Sequence, residues 1–315
     1  MKNEERMIVQ IIQEICLEES MDYAAFSYGW ILRLQKGDRV GFVYGYQFGV
    51  NHAASARICD DKSAASDILL HSSVPAVEHF FFMAPGNLHY VGGNGNWERI
   101  GALFRQYGSL VCKANEGTGG NAVFWVQDEI ALEKAVHKIF RRHGNMAVSP
   151  YYGITKEYRV IVLGGCVKLA YAKNIPYVVG DGRRNLRQLL LEYMSEAQVL
   201  IRFDSDDEKL EQILPKGGIR AVSWKSNLGQ GASPEIIAGG RLYHELCDLA
   251  LLAANALSID FASIDIVDTA CGLKVLEVNC GIMMEHFIRS ASEYYEIAKE
   301  IYREAVFAML RGRNI

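Results

Sequence analysis

The sequence lacks a surplus of charge of either sign. Its 315 residues include 33 Lys and Arg against 37 Asp and Glu, which gives a formal net charge of −4. Domains that bind nucleic acids or anionic membranes usually carry an excess of basic residues. The charge balance therefore predicts neither partner. The composition, 50% hydrophobic and 22% charged, is typical of a globular protein, and the length allows two or three lobes with their own cores.

Long apolar runs are also missing. The most apolar stretch, residues 246–257, is interrupted by Asp248 and Asn255. It is shorter than the roughly 20 residues that a membrane-spanning helix needs. The first six residues are mostly charged and lack the hydrophobic segment of a signal peptide. We therefore expect no membrane partner and a cytoplasmic protein.

Closely spaced cysteines are absent as well. The seven cysteines are scattered, with no CxxC or CxxxC pair among them. Such pairs are typical of structural zinc sites, and regular cysteine spacings are typical of small disulfide-bonded proteins. We interpret these cysteines as reduced, mostly packed thiols, which agrees with a cytoplasmic location.

A short apolar stretch, Leu276–Gly281, does carry two polar side chains. Glu277 and Asn279 are two residues apart, so they project from the same face of a strand. Two oxygen ligands on one rigid edge suit a hard cation such as Mg²⁺. Asp265 lies twelve residues before Glu277 in another apolar run, and a hairpin would bring it to the same cluster. Taken alone, the pattern is more typical of the solvated face of an antiparallel strand.

A glycine-rich segment, residues 116–121, lies between two apolar runs. Glycines let the backbone approach a ligand closely and point several N–H groups at phosphate oxygens. The segment is neither a Walker loop nor a dinucleotide fingerprint, because it lacks the Gly-Lys-Ser/Thr end and a strand follows it. Lys113, at the end of the strand that enters the segment, is suited to neutralise a phosphate. A plain hairpin tip and an exposed strand-end lysine are the alternatives.

Charged residues also mark the ends of other predicted strands. Glu157 and Arg159 begin an apolar strand that continues to Leu163. A carboxylate there suits a ribose hydroxyl, and an arginine binds a carboxylate through two parallel hydrogen bonds. Further cations near predicted strand ends are Lys168, Lys173, Arg220 and Lys225. The alternative for Glu157 and Arg159 is a charge pair on an edge strand.

The hydrophobic pattern predicts mixed helices and strands. An amphipathic helix is expected over residues 3–19, and a hairpin from residues 30–34 and 40–44. From residue 97 onwards helices and strands alternate without a regular βαβ order, and a helix at 290–310 ends the chain. This pattern favours α+β lobes over one doubly wound sheet. It leaves open whether the first and last helices pack internally or form a homodimer.

These elements occur in an order that resembles the ATP-grasp superfamily. Residues 176–182, Pro-Tyr-Val-Val-Gly-Asp-Gly, followed by 186–190, are similar to a signature of cyanophycin synthetases and of the ATP-grasp half of bifunctional glutathione synthetases. D-Alanine–D-alanine ligases have the same layout of metal strands. The resemblance covers residues 57 to about 288. It rests also on these segments: Asp61-Lys62, Val111–Lys113 with the glycine-rich loop, Glu157–Val160, Ile213–Gly217 with Ser226–Gly231, and Ile264–Ile266 with Leu276–Asn279.

The resemblance implies an α+β ATP-grasp fold in which two lobes clamp ATP. We expect a short amino-terminal segment, a helix plus a β-hairpin, at residues 1–60. The first ATP-grasp lobe follows at 61–152, and the second, with the metal site and the carboxy-terminal helix, at 153–315. The amino-terminal segment is short for a complete substrate domain, and we expect no glutamate–cysteine ligase half. Glutathione synthesis therefore does not follow from the resemblance.

The resemblance also implies roles for individual residues. The residues expected to bind ATP are Lys62, Lys113, Glu116, Gly117, Gly119, Gly120, Ser149, Tyr151, Tyr152 and Glu157. The expected ligands of one or two Mg²⁺ ions, with Mn²⁺ as an alternative, are Asp265, Glu277 and Asn279. The candidate catalytic residues, which would hold a carboxylate or stabilise an acylphosphate, are Arg159, Arg220 and Lys225. The chain departs from the family pattern at Ser149 and Pro150, where an acid is usual, and after Asn279, where residues 280–284 replace a Pro-Gly turn.

The reaction implied is an ATP-dependent carboxylate–amine ligation that forms an amide or peptide bond through an acylphosphate. The substrate expected is an amino acid or another small molecule or peptide. Two alternatives are an ATP-grasp ligase that modifies a peptide or protein, and a non-catalytic regulatory protein that binds ATP. Because a scaffold needs no complete set of metal ligands, Asp265, Glu277 and Asn279 favour an enzyme.

Overall fold

The structure, a computed structural model, describes residues 6–117, 122–197, 208–222 and 228–311. These residues form a mixed α+β arrangement of helices and mostly antiparallel sheets. The helices are α1 (Met7–Glu18), α2 (Ala53–Asp60), α3 (Lys62–His71), α4 (Trp97–Tyr107), α5 (Glu129–Phe140), α6 (Leu186–Ala197), α7 (Gly240–Ala256), α8 (Glu285–Ile288) and α9 (Tyr294–Arg311). The strands are β1 (Asp22–Phe26), β2 (Ile31–Lys36), β3 (Arg39–Tyr44), β4 (Gln47–Phe48), β5 (Phe80–Met83), β6 (Leu110–Ala114), β7 (Val123–Val126), β8 (Asn145–Pro150), β9 (Lys156–Leu163), β10 (Cys166–Asn174), β11 (Tyr177–Val179), β12 (Ile219–Ala221), β13 (Ser233–Ile236), β14 (Phe261–Thr269) and β15 (Gly272–Asn279).

A five-stranded antiparallel sheet carries most of the charged residues of interest. Its strand order is β13–β10–β9–β14–β15. One face packs on α7, through residues such as Ile264 and Leu246, and the other packs on the layer of α1 and α9 through residues such as Phe261. Both faces are therefore covered, so a charged side chain on the inner strands β9 and β14 lies in a poorly solvated environment.

A four-stranded sheet of order β5–β8–β6–β7 forms a second core with α4 and α5. Helix α4 begins after Asn96, whose side chain accepts a hydrogen bond from the Arg99 N–H at 2.9 Å. It ends before Gly108, whose φ of 70° lies in the left-handed region that favours glycine. Helix α5 packs on β6, β7 and β8. This core holds β6, and with it Lys113, at the start of the glycine-rich loop.

Helices α1 and α9 meet in a third core. Helix α1 buries Ile8, Ile12 and Ile15 at helical spacing against α9 and the inner face of the sheet β1–β2–β3–β4. The first N–H groups of α1, those of Met7 and Ile8, donate to the Glu285 carboxylate at 3.1 and 3.3 Å. The apolar face of α1, which left a homodimer open in the sequence, is therefore used within one chain.

A smaller unit consists of β11, β12 and α6 around their own apolar cluster. The Gly-Asp-Gly turn of residues 180–182 packs against the segment of the same chain around Pro215. A Cβ atom on Gly180 would lie 2.3 Å from the Pro215 carbonyl oxygen. Gly182 has a φ of 77° and donates its N–H to the Leu214 carbonyl at 3.1 Å. The two sequence segments that carry the resemblance thus pack on each other, and glycine is required for that approach.

Most predicted elements are confirmed, with ends shifted by a few residues. The amino-terminal segment holds more than the predicted helix and hairpin, because β1, β4 and α2 are also present. Helix α2 was not predicted, because only its Ser55 and Cys59 are buried and no apolar periodicity marks it in the sequence. None of the helices within the described ranges is long and apolar enough to cross a membrane. The division into lobes at residues 60 and 152 stays a prediction.

Candidate active site

The two predicted metal strands, β14 and β15, pair as an antiparallel hairpin. Asp265 stands opposite Glu277, and Ser263 stands opposite Asn279. Asn279 donates through Nδ2 to Glu277 Oε1 at 3.1 Å, which leaves its Oδ1 as the atom suited to a cation. The side chain of Glu277 is 26% exposed and that of Asp265 is 3% exposed. The hairpin predicted from the sequence is confirmed, and Glu277 is more accessible than Asp265.

Asp265 lies in a buried cluster of four charged side chains. Arg159 donates through Nε and Nη2 to the two carboxylate oxygens of Asp265, both at 2.7 Å. Lys173 Nζ lies 2.9 Å from Asp265 Oδ2 and also pairs with Glu157. The strand register produces this arrangement, because Arg159 stands opposite Asp265 and Lys173 stands opposite Glu157. The sequence indicated Lys173 only as a further cation near a strand end, and the structure places it in the site.

These buried charges fix one another's protonation. Burial alone would raise the pKa of Asp265, but Arg159 and Lys173 lower it below its ordinary value. Burial and Arg159 oppose the charge on Lys173, yet Asp265 and Glu157 raise its pKa. Burial raises the pKa of Glu157 by more than Lys173 lowers it. Asp265 and Lys173 are therefore charged, and Glu157 is the acid of the cluster that takes up a proton most readily.

The predicted metal ligands have the chemistry that Mg²⁺ prefers, namely carboxylate and amide oxygens. Glu277 and Asn279 present their oxygens side by side on one strand. Asp265 already shares both oxygens with Arg159 and Lys173, so any bond from it to a metal would compete with those two cations. Within the ranges that the structure describes, no three His, Cys, Asp or Glu side chains gather into a metal-binding group. The residues fit a cation held by Glu277 and Asn279 and completed by ligand oxygens.

Two lysines lie beside the accessible end of the hairpin. Lys62 Nζ is 4.0 Å from Glu277 Oε2 and donates to the Gly117 carbonyl at 2.7 Å. Lys113, near the end of β6, is 6% exposed. Burial lowers the pKa of Lys113 to about 8, although the negative charge of Glu277 opposes this shift. The structure thus brings together the predicted phosphate-binding lysines and the predicted metal strand.

The start of α3 is tied to the entry of the glycine-rich loop. The Lys62 N–H donates to the Asn115 carbonyl at 3.2 Å. The N–H and hydroxyl of Ser63 donate to Asn115 Oδ1 at 3.1 and 2.8 Å. Asp61 caps α3 by accepting from the Ala64 N–H at 2.8 Å. Asn115 therefore sets where Lys62 stands relative to the loop, a role that no motif indicated.

A buried histidine lies close to both lysines. His79 is 2% exposed, and its backbone N–H donates to the Ser66 hydroxyl oxygen at 3.1 Å. Burial, Lys113 and Lys62 together hold the pKa of His79 well below its ordinary value, so the imidazole is neutral. Among the described residues, its Nε2 has no hydrogen-bond partner. This neutral ring adds no charge to the site.

Aromatic rings mark the predicted adenine end. Tyr151 stacks on Trp125 with ring centroids 4.5 Å apart and an interplanar angle of 14°. Ser149 is 3% exposed and lies within β8, opposite Val111. Tyr152 is half-buried, and Lys274 Nζ lies 5.8 Å from its ring centroid. With Ser149 buried, any polar contact to a base at this end comes from the backbone or from neighbouring residues.

The remaining predicted residues are placed as follows. Glu116 Oε2 lies 3.8 Å from Arg57 Nη2, and Gly117 accepts from Lys62. Arg220 lies exposed on β12, and no described contact links it to the Asp265 cluster. Gly119, Gly120 and Lys225 lie outside the described residues. The roles of all these residues stay predictions.

The segment after the metal strand is mostly part of the core. Cys280, Ile282 and Met284 are buried, while Met283 is 43% exposed. The Ile282 N–H donates to the Tyr46 carbonyl at 3.1 Å, which ties this segment to the amino-terminal sheet. The departure from the family pattern after Asn279 is therefore a packing feature at most of its positions.

The chain is similar in sequence to proteins of known activity. Residues 216–304 match the RimK-like ATP-grasp domain. The chain is 24% identical to the cyanophycin synthetase of Trichormus variabilis over 283 residues, covering 78% of this chain and 29% of that protein. It is 33% identical to the tetrahydromethanopterin:alpha-L-glutamate ligase of Methanocaldococcus jannaschii over 94 residues, which is 30% of each protein. The chain thus spans less than a third of the length of these relatives.

Two solved structures share its fold. A bifunctional glutathione synthetase from Pasteurella multocida superposes with a TM-score of 0.54 at 17% identity, over 96% of this chain and 44% of that one. A D-alanine–D-alanine ligase from Bacillus anthracis gives a TM-score of 0.54 at 16% identity, over 83% of this chain and 72% of that one. At these identities the likeness is one of fold.

Proposed function

Because the chain carries a RimK-like ATP-grasp domain and has the ATP-grasp fold, we propose that it is an ATP-dependent, ADP-forming carboxylate–amine ligase. The observation that carries the proposal is the meeting of two lysines with the metal hairpin. Lys62 donates to the Gly117 carbonyl and lies 4.0 Å from the Glu277 carboxylate. Lys113 is close enough to Glu277 and Lys62 for both charges to shift its pKa. Cations beside hard oxygen ligands, at the mouth of a glycine-rich loop, form a site for a metal-bound polyphosphate.

The charges of the site match a nucleotide only when a divalent cation is added. The site holds four cations, Lys62, Lys113, Arg159 and Lys173, and three carboxylates, Glu157, Asp265 and Glu277, a balance of +1. ATP brings about four negative charges. We therefore propose ATP and one or two Mg²⁺ ions, with Mn²⁺ as an alternative, held by Glu277 and Asn279 and supported by Asp265. A metal bound there would neutralise the phosphates and polarise the γ-phosphate.

The protein's own residues would act mainly by position and charge. Lys62 and Lys113 would bind phosphate oxygens and hold the γ-phosphate beside the loop. Arg159 uses two donors on Asp265, so we propose that it acts through the orientation of that acid. Glu157 is held by Lys173 at the predicted ribose position. Arg220 and Lys225 remain candidates for the substrate carboxylate.

The proposed reaction has two steps. A substrate carboxylate attacks the γ-phosphorus of ATP, a carboxyl O–P bond forms, and ADP leaves. The nitrogen of an amine then attacks the acyl carbon, a C–N bond forms, and phosphate leaves with one proton from that nitrogen. The names of the relatives, a cyanophycin synthetase and a glutamate ligase, support an amino acid or a small peptide as substrate. A peptide or small-molecule substrate and a cytoplasmic location are proposed together, and the free thiols of all seven cysteines, each within the described ranges, support the latter.

The test is ATP turnover in the presence of hydroxylamine, which traps acylphosphates as hydroxamates. The full chain is incubated with ATP, Mg²⁺, hydroxylamine and pools of the twenty amino acids or of dipeptides, and ADP and hydroxamate are measured. Glu277→Gln should lower turnover by at least about 100-fold, because it removes a predicted metal ligand. Glu245→Gln, on the exposed surface of α7, is the matched control and should stay within about twofold. Binding of ATP without ADP formation in any pool would instead support a non-catalytic ATP-binding protein.

A further inference from the structure

A polar group outside the predicted ATP and metal sites lies next to both. Helix α2 ends at Asp60, and the Gln47 side chain at β4 donates a hydrogen bond to the Asp60 carboxylate. Arg57 lies one turn earlier on α2, at i and i+3 with Asp60, so the two side chains share a helix face. Neither Asp60 nor Arg57 belongs to a motif, and neither takes part in the steps proposed above.

Backbone contacts fix the position of this group. Gln47 pairs with Gly281, two residues beyond the predicted metal ligand Asn279. The residue after Asp60, Asp61, pairs with Glu116 at the start of the glycine-rich loop. The group therefore lies at the junction of the metal strand and the phosphate loop, on the side of the amino-terminal sheet. This is a place from which a second substrate can reach an acyl group formed at the γ-phosphate.

Among the described contacts, Asp60 and Arg57 form no ion pair with each other. Within the described part of the chain, Asp60 is in no ion pair; Arg57 and Lys62 act on it only through space, and burial raises its pKa. Asp60 also ends a helix, where the helix dipole favours a positive charge. The Arg57 side chain is 73% exposed, and its nearest acid is Glu116 at 3.8 Å. Asp60 is thus a half-buried carboxylate outside the ion pairs of the described residues, one helical turn from an exposed guanidinium whose pair with Glu116, at 3.8 Å, is too long for a hydrogen bond.

We propose that Asp60 and Arg57 form the acceptor subsite of the ligase and that the acceptor is an α-amino acid. Its ammonium group donates to Asp60, with Gln47 orienting that carboxylate, and its carboxylate accepts from Arg57. The opposite charges of an α-amino acid are separated by one carbon, which matches two residues one helical turn apart. This inference rests on the proposed function.

The subsite also accounts for a proton. The acceptor arrives as an ammonium ion and must lose one proton before its nitrogen has a free electron pair. Asp60 accepts that proton and later releases it to water. The nitrogen then forms a C–N bond to the acyl carbon, and the bond between that carbon and the phosphate oxygen breaks. The second proton leaves with phosphate. Asp60 thus contacts the reacting nitrogen.

The test compares two acceptors of the same acylphosphate. Each of the twenty amino acids is offered to the full chain with ATP and Mg²⁺, and the rate of amide formation is divided by the rate of hydroxamate formation with hydroxylamine, which is uncharged near neutral pH and has no carboxylate. Asp60→Asn should lower this ratio at least tenfold. Arg57→Gln should raise the KM for the amino acid about tenfold, and leave the KM for the corresponding amine without a carboxylate as in the wild type. Arg241→Gln, an exposed α7 arginine paired only with Glu245 in the described contacts, is the control.

The outcomes separate this subsite from the ligase proposal. An unchanged ratio in Asp60→Asn, or equal losses with amide and hydroxamate, overturns the subsite while the ligase function stands. An equal rise in KM for the amino acid and for the amine overturns the role of Arg57. Absence of hydroxamate from the wild-type protein with every carboxylate offered refutes the ligase function itself, and the acceptor subsite with it.

Discussion

Replacing Lys173 by Met should destabilise the protein by about 3 kcal/mol at neutral pH. The Lys173 side chain is 4% exposed, and its ammonium group pairs with Glu157 and with Asp265. Methionine fills a similar volume, so the loss comes from charge rather than packing. Removing one partner of a buried ion pair typically costs about 3–5 kcal/mol, because the other charge stays buried without compensation.

The structure places the loss at the lower end of that range. Asp265 keeps both hydrogen bonds from Arg159, so its charge stays compensated. Glu157 loses its ion pair, but burial already raises its pKa, and it can become neutral by taking up a proton. Because its folded pKa lies above the unfolded value, the buried charge of Glu157 opposes folding above that pKa. The deficit of the Lys173→Met variant should therefore shrink as the pH falls below neutrality and Glu157 takes up its proton.

The assay is urea unfolding followed by tryptophan fluorescence, with midpoint and slope compared between variants. Lys299→Met is the matched control, since its partners Glu14 and Glu18 are 44% and 46% exposed and water screens those pairs. It should lose clearly less stability than Lys173→Met. The double variant Lys173→Met, Glu157→Gln should recover part of the loss, because no unpaired charge then remains buried. Equal losses at both lysines, or no recovery in the double variant, would refute the reasoning.

Three further predictions concern other parts of the molecule. The pKa of Lys113 is lowered to about 8, so ATP affinity should fall as the pH rises through that value, and ATP binding near that pH should take up protons. Calorimetry in two buffers of different ionisation enthalpy measures this proton uptake, and a Lys113→Met variant should show none. Glu285→Ala should lower the free energy of unfolding by about 2 kcal/mol, because the N–H groups of Met7 and Ile8 lose their acceptor. Hydrogen exchange should then be faster in the first turn of α1, and unchanged exchange would contradict the capping role of Glu285. Asn115→Leu should weaken ATP binding by about tenfold, because Ser63 loses its acceptor and Lys62 its fixed position; a nucleotide titration equal to that of the wild type would rule this out.

The metal hairpin could be read from the sequence because its information is local. Apolar residues flank Asp265 and Glu277, a turn separates the runs, and alternation fixes which side chains share a face. The exact partner of Asp265 is not local information: it stands opposite Glu277 because the register shifts by one residue between Asp265 and Ile266, which the turn alone does not set. The same kind of local signal predicted the hairpin of β2 and β3 and most of the helices.

The buried ion cluster could not be read in this way. Lys173 meets Glu157 because the register between β9 and β10 shifts at a bulge between Val167 and Leu169. A shift of one residue turns every following side chain to the other face of a strand, and no local pattern in this sequence marks the bulge. The link from Asn115 to Ser63 spans 52 positions and is likewise set by tertiary packing. Local patterns identified the chemistry of the site but not the contacts that hold it.

The contacts of Glu285 have a consequence for the order of folding. This residue holds the first turn of α1, from which it is separated by 278 positions, and the Tyr302 hydroxyl of α9 donates to the Ile282 carbonyl at 2.7 Å. The segment that leaves the metal strand is therefore fixed by α1 and α9, two helices that lie far apart in the sequence. Contacts of such long range form slowly. During translation the metal hairpin should lack its final support until α9 has left the ribosome, so nucleotide should not bind before that point.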